Sequence, residues 1–117
     1  MYTISKKFTF EASHQLKNLP DGHPCTKLHG HSYVVIIELQ DDKVNKAGFV
    51  KDYRELSIIK DWIDEQFDHT HLNDVVDFNP SAENLARFIF EVWFPSFPQL
   101  HSVTVKETEK TAAKYQL

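Results

Sequence analysis

The sequence predicts an α+β domain in which an antiparallel four-stranded sheet carries two helices on one face. Three observations predict it. Apolar residues alternate with polar ones over residues 2–14, and a second strand-like run covers about 29–40. Two later stretches carry apolar residues at helical spacing. A closing strand follows two prolines, so two strands precede two helices and at least one strand returns.

Taken in order, Ile4, Phe8, Phe10, Ala12 and His14 share one parity, and Thr3, Ser5, Lys7, Thr9, Glu11 and Ser13 share the other. That is the period of a half-buried strand. Asn18, Pro20, Asp21, Gly22 and Pro24 make 15–28 a loop. In HGHSYVVIIELQ, His29, His31, Tyr33, Val35, Ile37 and Leu39 lie on one face. Val34 and Ile36 make the other face apolar too, which predicts cover on both sides.

Asp41 to Gly48 reads as a turn, and Leu56, Ile59, Ile63 and Phe67 predict a helix over about 54–66. The stretch FDHTHLNDVVDFNP, residues 67–80, reads as a long functional loop. Ser81 is a candidate N-cap, and Leu85, Phe88, Ile89, Val92 and Trp93 give the strongest helical stripe in the chain. Pro95 and Pro98 stop it. Val103, Val105 and Glu107 share one parity of a strand over about 101–108, and a short fourth strand is expected after Ala112.

A chain of 117 residues with 41% apolar and 26% charged residues predicts one soluble domain, 1–117. The net charge of -4 argues against general nucleic-acid binding, which needs a basic footprint. No apolar run approaches the roughly 20 residues of a membrane helix. Met1 to Lys7 lacks the apolar region of a signal peptide, so a cytoplasmic protein is expected. Cys25 is the one cysteine, so no disulfide can form within the chain.

The seven histidines are unevenly placed. His29 and His31 are two apart, so on a strand both imidazoles leave the same face. His14 ends the first strand on its apolar parity, and pairing of the two strands would bring a third imidazole to the same point. Three neutral histidines with one position left open make a catalytic zinc site. Taken singly, a histidine on a strand is more often a packed or surface residue than a ligand. His23 and His101 fit no pattern and read as surface residues.

Cys25 lies just before the candidate ligands. It reads as a nucleophile or proton carrier activated by a nearby cation, as a fourth zinc ligand, or as a small buried hydrophobe. Asp68 beside His69 could fix that ring's tautomer, but neighbouring side chains meet only if the loop bends sharply. His71 competes with His69 on spacing alone. Glu107 puts a carboxylate on the apolar parity of a strand, where two parallel N–H groups of a ligand would match it; the plain alternative is a strand end in water.

The segments FEASHQL, CTKLHGHSY, FDHTHLN, PSAENLARFI and VKETEKTAAKY occur together. In them the chain resembles the 6-pyruvoyl-tetrahydropterin synthase family of T-fold enzymes. The short Cys-x-x-x-His-Gly-His spacing resembles its bacterial queuosine-pathway branch, which makes 6-carboxy-tetrahydropterin. The resemblance implies His14, His29 and His31 as zinc ligands, Cys25 as catalytic cysteine, Asp68 and His69 as an acid/base pair, and Glu107 as anchor of the pterin ring. It implies 7,8-dihydroneopterin triphosphate as substrate; Lys27, by its place in the Cys25 loop alone, reads as a phosphate partner or as a solvated lysine. It also implies a homo-oligomer whose strands close into a β-barrel, typically a hexamer of two stacked trimers with active sites between subunits.

Two other functions stand beside this expectation. One is a 6-pyruvoyl-tetrahydropterin synthase, with the same metal and substrate. The other is a non-catalytic, zinc-stabilised binding module, in which Cys25 would close the metal shell.

Overall fold

The computed structural model describes residues 1–117. Strand β1 spans Tyr2–His14 and β2 spans His29–Asp41. They pair antiparallel in unbroken register from Tyr2↔Asp41 to His14↔His29. Alternation selects the buried side: Phe8, Phe10, Ala12 and His14 of β1 and Tyr33, Val35, Ile37 and Leu39 of β2 all point into the core.

A 3-10 turn at Tyr53–Leu56 leads into helix α1, Ser57–Gln66, so the expected helix begins as tighter winding. Asp52 caps that turn by accepting from the Arg54 N–H. Helix α3, Ala82–Trp93, starts at Ser81, whose hydroxyl accepts from the Asn84 N–H at 3.2 Å. Its stripe of Leu85, Ala86, Ile89, Phe90 and Trp93 is buried against β4, Leu100–Thr108, and β5, Thr111–Gln116. Each fully buried Leu, Ile or Phe side chain contributes about 1.5–3 kcal/mol by leaving water.

The expected four-stranded antiparallel sheet is corrected to a five-stranded mixed sheet, ordered β3-β1-β2-β4-β5. The extra strand is β3, Thr70–His71, which pairs parallel with β1 at Ala12 and Ser13. It lies inside the segment expected to be loop, followed at once by the short helix α2, Leu72–Val75. Two residues are too short for an alternation signal to show.

The two-sided cover expected for β2 is also only half present. Tyr33, Val35, Ile37 and Leu39 are fully buried, whereas Val34 and Ile36 are only half-buried on the opposite face. Beyond Ala12 and Ser13, the outer edge of β1 has no strand partner, and β5 ends the other side of the sheet.

Candidate metal centre and active site

The register of β1 and β2 builds the centre. His14 faces His29 directly, and Ala12 faces His31, so three imidazoles share the core face at one end of the hairpin. Gly30 lets the strands approach: a Cβ there would lie 3.3 Å from the Ala12 carbonyl oxygen.

Two backbone carbonyls set the tautomers. His14 Nδ1 lies 2.8 Å from the Pro80 oxygen, and His29 Nδ1 lies 2.8 Å from the Lys27 oxygen. A carbonyl only accepts, so each Nδ1 carries the proton and each Nε2 keeps its lone pair. Those two Nε2 atoms face each other at 3.0 Å. His31 Nε2 is buried without a hydrogen-bond partner. Glu107 reaches in, its Oε2 3.0 Å from His31 Nε2 and 3.4 Å from His14 Nε2. One ligand atom from each of the four residues falls within 4.8 Å of the others. A shared proton satisfies one facing pair of nitrogens, whereas a divalent cation satisfies all three together, beside a carboxylate that balances its charge. The donor set therefore fits a metal ion of the imidazole-preferring class.

The electrostatics follow. Burial disfavours the charged form of His31 and leaves its pKa below the ordinary value. Burial acts the same way on His14, but the Glu107 carboxylate and the Pro80 carbonyl outweigh it and the net direction is upward. The His14 imidazole, which donates from Nε2 when it is protonated, holds the Glu107 carboxyl below its usual value, against the opposing effect of burial. Beneath the cluster Tyr33 is fully buried, its ring stacked on Phe10 at 4.7 Å and its hydroxyl 3.1 Å from His14 Nδ1. Burial pushes the phenol well above its usual pKa, so it is neutral. Tyr33 shares the parity of His29 and His31, yet its place in an apolar run marks it only as core.

Asp68 and His69 meet because the chain bends as sharply as their adjacency demands: His69 has φ 59. Asp68 Oδ2 lies 2.8 Å from His69 Nδ1, and Asp68 Oδ1 accepts the Glu11 N–H at 2.8 Å. The His69 N–H donates to the Glu11 carbonyl at 2.6 Å. The pair is thus clamped to β1. The Glu11 backbone N–H, then His69, hold the Asp68 carboxyl below the usual carboxylate range. His69 Nδ1 donates to a carboxylate, so Nε2 is the free face of a ring that is 80% exposed. His69 and His31 border one open groove of about 410 Å³.

His71, the competitor of His69, is engaged elsewhere: its Nδ1 lies 2.9 Å from the Ser13 hydroxyl. Cys25 sits half-buried in a 3-10 turn, Pro24–Thr26. Its N–H donates to His23 Nδ1 at 3.1 Å, so His23, expected to be a plain surface residue, caps that turn. The four-residue cluster contains Glu107 and not Cys25. Lys27 contributes its backbone carbonyl to His29. Glu107 also lines a cleft of about 230 Å³ between the start of α3 and the β4–β5 hairpin, with Ala82, Val105 and Thr111.

One segment, residues 68–80, runs beside the end of β1 and holds it step by step. Asp68 and His69 bond at Glu11, Thr70 and His71 pair with Ala12 and Ser13, and Pro80 holds the ring of His14. Asn73 and Asn79 continue the series at Gln15 and Lys17.

This sheet and this cluster define an α+β domain with a candidate metal centre at one end of its central strand pair. The family model described as 6-pyruvoyl tetrahydropterin synthase matches residues 3–117, and the chain belongs to that family. It is 36% identical to a 6-carboxy-5,6,7,8-tetrahydropterin synthase of Synechocystis, over 98% of this chain and 93% of the relative. It is 31% identical to the enzyme of that name from Haemophilus influenzae, over 99% of each chain. The structure of Caenorhabditis elegans 6-pyruvoyl tetrahydropterin synthase superposes with a TM-score of 0.87 at 26% identity, covering 99% of this chain and 95% of the other. These neighbours support the T-fold.

Proposed function

We propose that the chain is a zinc-dependent 6-carboxy-5,6,7,8-tetrahydropterin synthase. It would convert 7,8-dihydroneopterin triphosphate to 6-carboxytetrahydropterin, acetaldehyde and triphosphate, with consumption of water, in the 7-deazaguanine route to queuosine. The observation that carries this reading is the convergence of three Nε2 atoms, from His14, His29 and His31, in a chain whose relatives carry that name. A cytoplasmic setting belongs to the same reading.

His14, His29 and His31 would hold the ion, which supplies Lewis acidity toward a hydroxylated side chain. The chain's own groups do the rest. As a carboxylate, Glu107 would accept from the amino and ring N–H groups of the pterin, whose flat ring suits the cleft beside the β4–β5 hairpin. Cys25 and His69 would move protons on opposite sides of the substrate's side chain. Asp68 keeps the His69 proton on Nδ1, so Nε2 is the atom that takes up or returns a proton. Triphosphate leaves with the electron pair of the broken C–O bond. We further propose a homo-oligomer, a hexamer of stacked trimers, because the free edges of β1 and β5 need partners.

The 6-pyruvoyl reading is kept by one observation, the likeness to the C. elegans enzyme. Incubation with 7,8-dihydroneopterin triphosphate separates the two. Acetaldehyde with a 6-carboxypterin product supports the proposal; a 6-pyruvoyl product without acetaldehyde overturns it. No turnover, with zinc lost in Cys25→Ala, would instead favour a zinc-stabilised binding module.

A further inference from the structure

The ladder between β1 and β2 ends at His14↔His29, and the chain then leaves as the loop that carries Cys25. Residues 15–17 nevertheless stay strand-like in their hydrogen bonding, with side chains replacing the missing neighbour. The Asn73 amide accepts the Gln15 N–H at 2.9 Å and donates to the Gln15 carbonyl at 2.8 Å. Two residues on, the Asn79 amide accepts the Lys17 N–H at 3.0 Å and donates to the Lys17 carbonyl at 3.0 Å. Each primary amide thus pairs with a peptide as another peptide would.

In an extended chain, residues i and i+2 present their backbone groups to one edge and residue i+1 to the other. Leu16 obeys this. Its N–H turns away from both asparagines and donates to the Cys25 carbonyl at 2.9 Å. Residues 15–17 are therefore held between two asparagine amides on one side and the Cys25 turn on the other. Asn79 is also chain neighbour to Pro80, whose carbonyl fixes His14. The same short segment sets the place of a candidate metal ligand and the place of the thiol.

We propose that Asn73 and Asn79 are positioning residues for the Cys25 thiol, acting through the backbone of Gln15 to Lys17. They fix how far the thiol stands from the imidazole cluster. The proposal rests on the reading of Cys25 as a reacting group. An asparagine suits both places because its primary amide sets an acceptor and a donor side by side, as a peptide does. Aspartate has the same shape, but its ionised form sets an acceptor against the carbonyls of Gln15 and Lys17.

The test uses the full-length, zinc-loaded protein and the variants Asn73→Asp, Asn79→Asp and the pair together. The first readout is the rate of Cys25 alkylation by iodoacetamide across pH. We expect the double variant to move the midpoint of that profile or to change its plateau at least threefold. The second is turnover of 7,8-dihydroneopterin triphosphate: kcat should fall about tenfold to a hundredfold, with KM changed less, as for a displaced reacting group. The third is zinc content, expected to be unchanged. Wild-type alkylation and kcat in the double variant overturn the proposal, as does loss of zinc in step with loss of kcat.

Should the double variant fail to fold, Leu16→Pro removes the N–H that holds the Cys25 carbonyl, together with the Leu16 side chain, and must shift the alkylation profile likewise. An unchanged profile there also overturns the proposal. Full activity in Cys25→Ala would sink the catalytic reading of the thiol, while the alkylation profiles still report whether the asparagines place it.

Discussion

Asp68 and His69 are neighbours in the chain, yet their side chains hydrogen-bond at 2.8 Å because His69 adopts a left-handed backbone, φ 59. A non-glycine residue pays about 1–3 kcal/mol for such a conformation. The two backbone bonds at Glu11 offset that cost.

The Asp68 carboxyl titrates below its unfolded value, so its ionised form stabilises the fold. That contribution is complete above the unfolded carboxylate pKa of about 3.9 and disappears as pH falls through the lower, folded value. Asp68→Asn should therefore melt below wild type at neutral pH, and the two melting curves should converge in acid below pH ~4. A gap that persists unchanged in strong acid contradicts this account. Paired Tm measurements across pH decide it.

Removing one imidazole separates metal binding from chemistry. His29→Ala should lose most bound zinc on dialysis and nearly all turnover. Cys25→Ala should keep its zinc while turnover falls about 10²–10⁴-fold, the usual range for a proton-transfer group. Metal analysis of the two purified variants beside the activity assay checks both.

Much of this centre could be read before any coordinates. The strand parities of His14, His29, His31 and Glu107 and the Ser81 cap translate directly into structure, because alternation and capping are local. The rest depended on tertiary contacts that leave no periodic trace. Strand β3 forms only because β1 offers it an edge at Ala12 and Ser13. Pro80 and Lys27 act through backbone carbonyls, which any residue type supplies. Asn73 and Asn79 lie among other loop polar groups, and nothing in their spacing distinguishes them. Tyr33 differs: its parity was visible, and only its phenol pointing at a ligand was not.

Tyr33→Phe deletes one hydroxyl and little volume. The loss should cost about 1 kcal/mol in stability. Partners that orient metal-binding histidines are worth about tenfold or more in metal affinity. Competitive zinc titration should show that weakening, with the far-UV spectrum unchanged. Equal affinity in the two proteins would leave the Pro80 carbonyl as the sole determinant of the His14 orientation.

Gly30→Ala pushes a methyl group against the Ala12 carbonyl at 3.3 Å, between two candidate ligands on one strand. The strands must part by a few tenths of an ångström, at about 1–3 kcal/mol. Because His14 stands on the opposite strand, zinc affinity should fall as well. Chemical denaturation with and without zinc measures both effects, and the zinc-dependent part of the stability should shrink most.

The run from Asp68 to Pro80 bonds to β1 and its extension from Glu11 to Lys17 at every residue but Leu16. Its span is therefore metrically locked. Adding or deleting a single residue there would throw the Asp68–His69 pair, the His14 ring and the Cys25 turn out of phase in one stroke. The turn between β2 and the first helix touches none of them. Length variation among descendants of this chain should accumulate in the turn and be purged from the run.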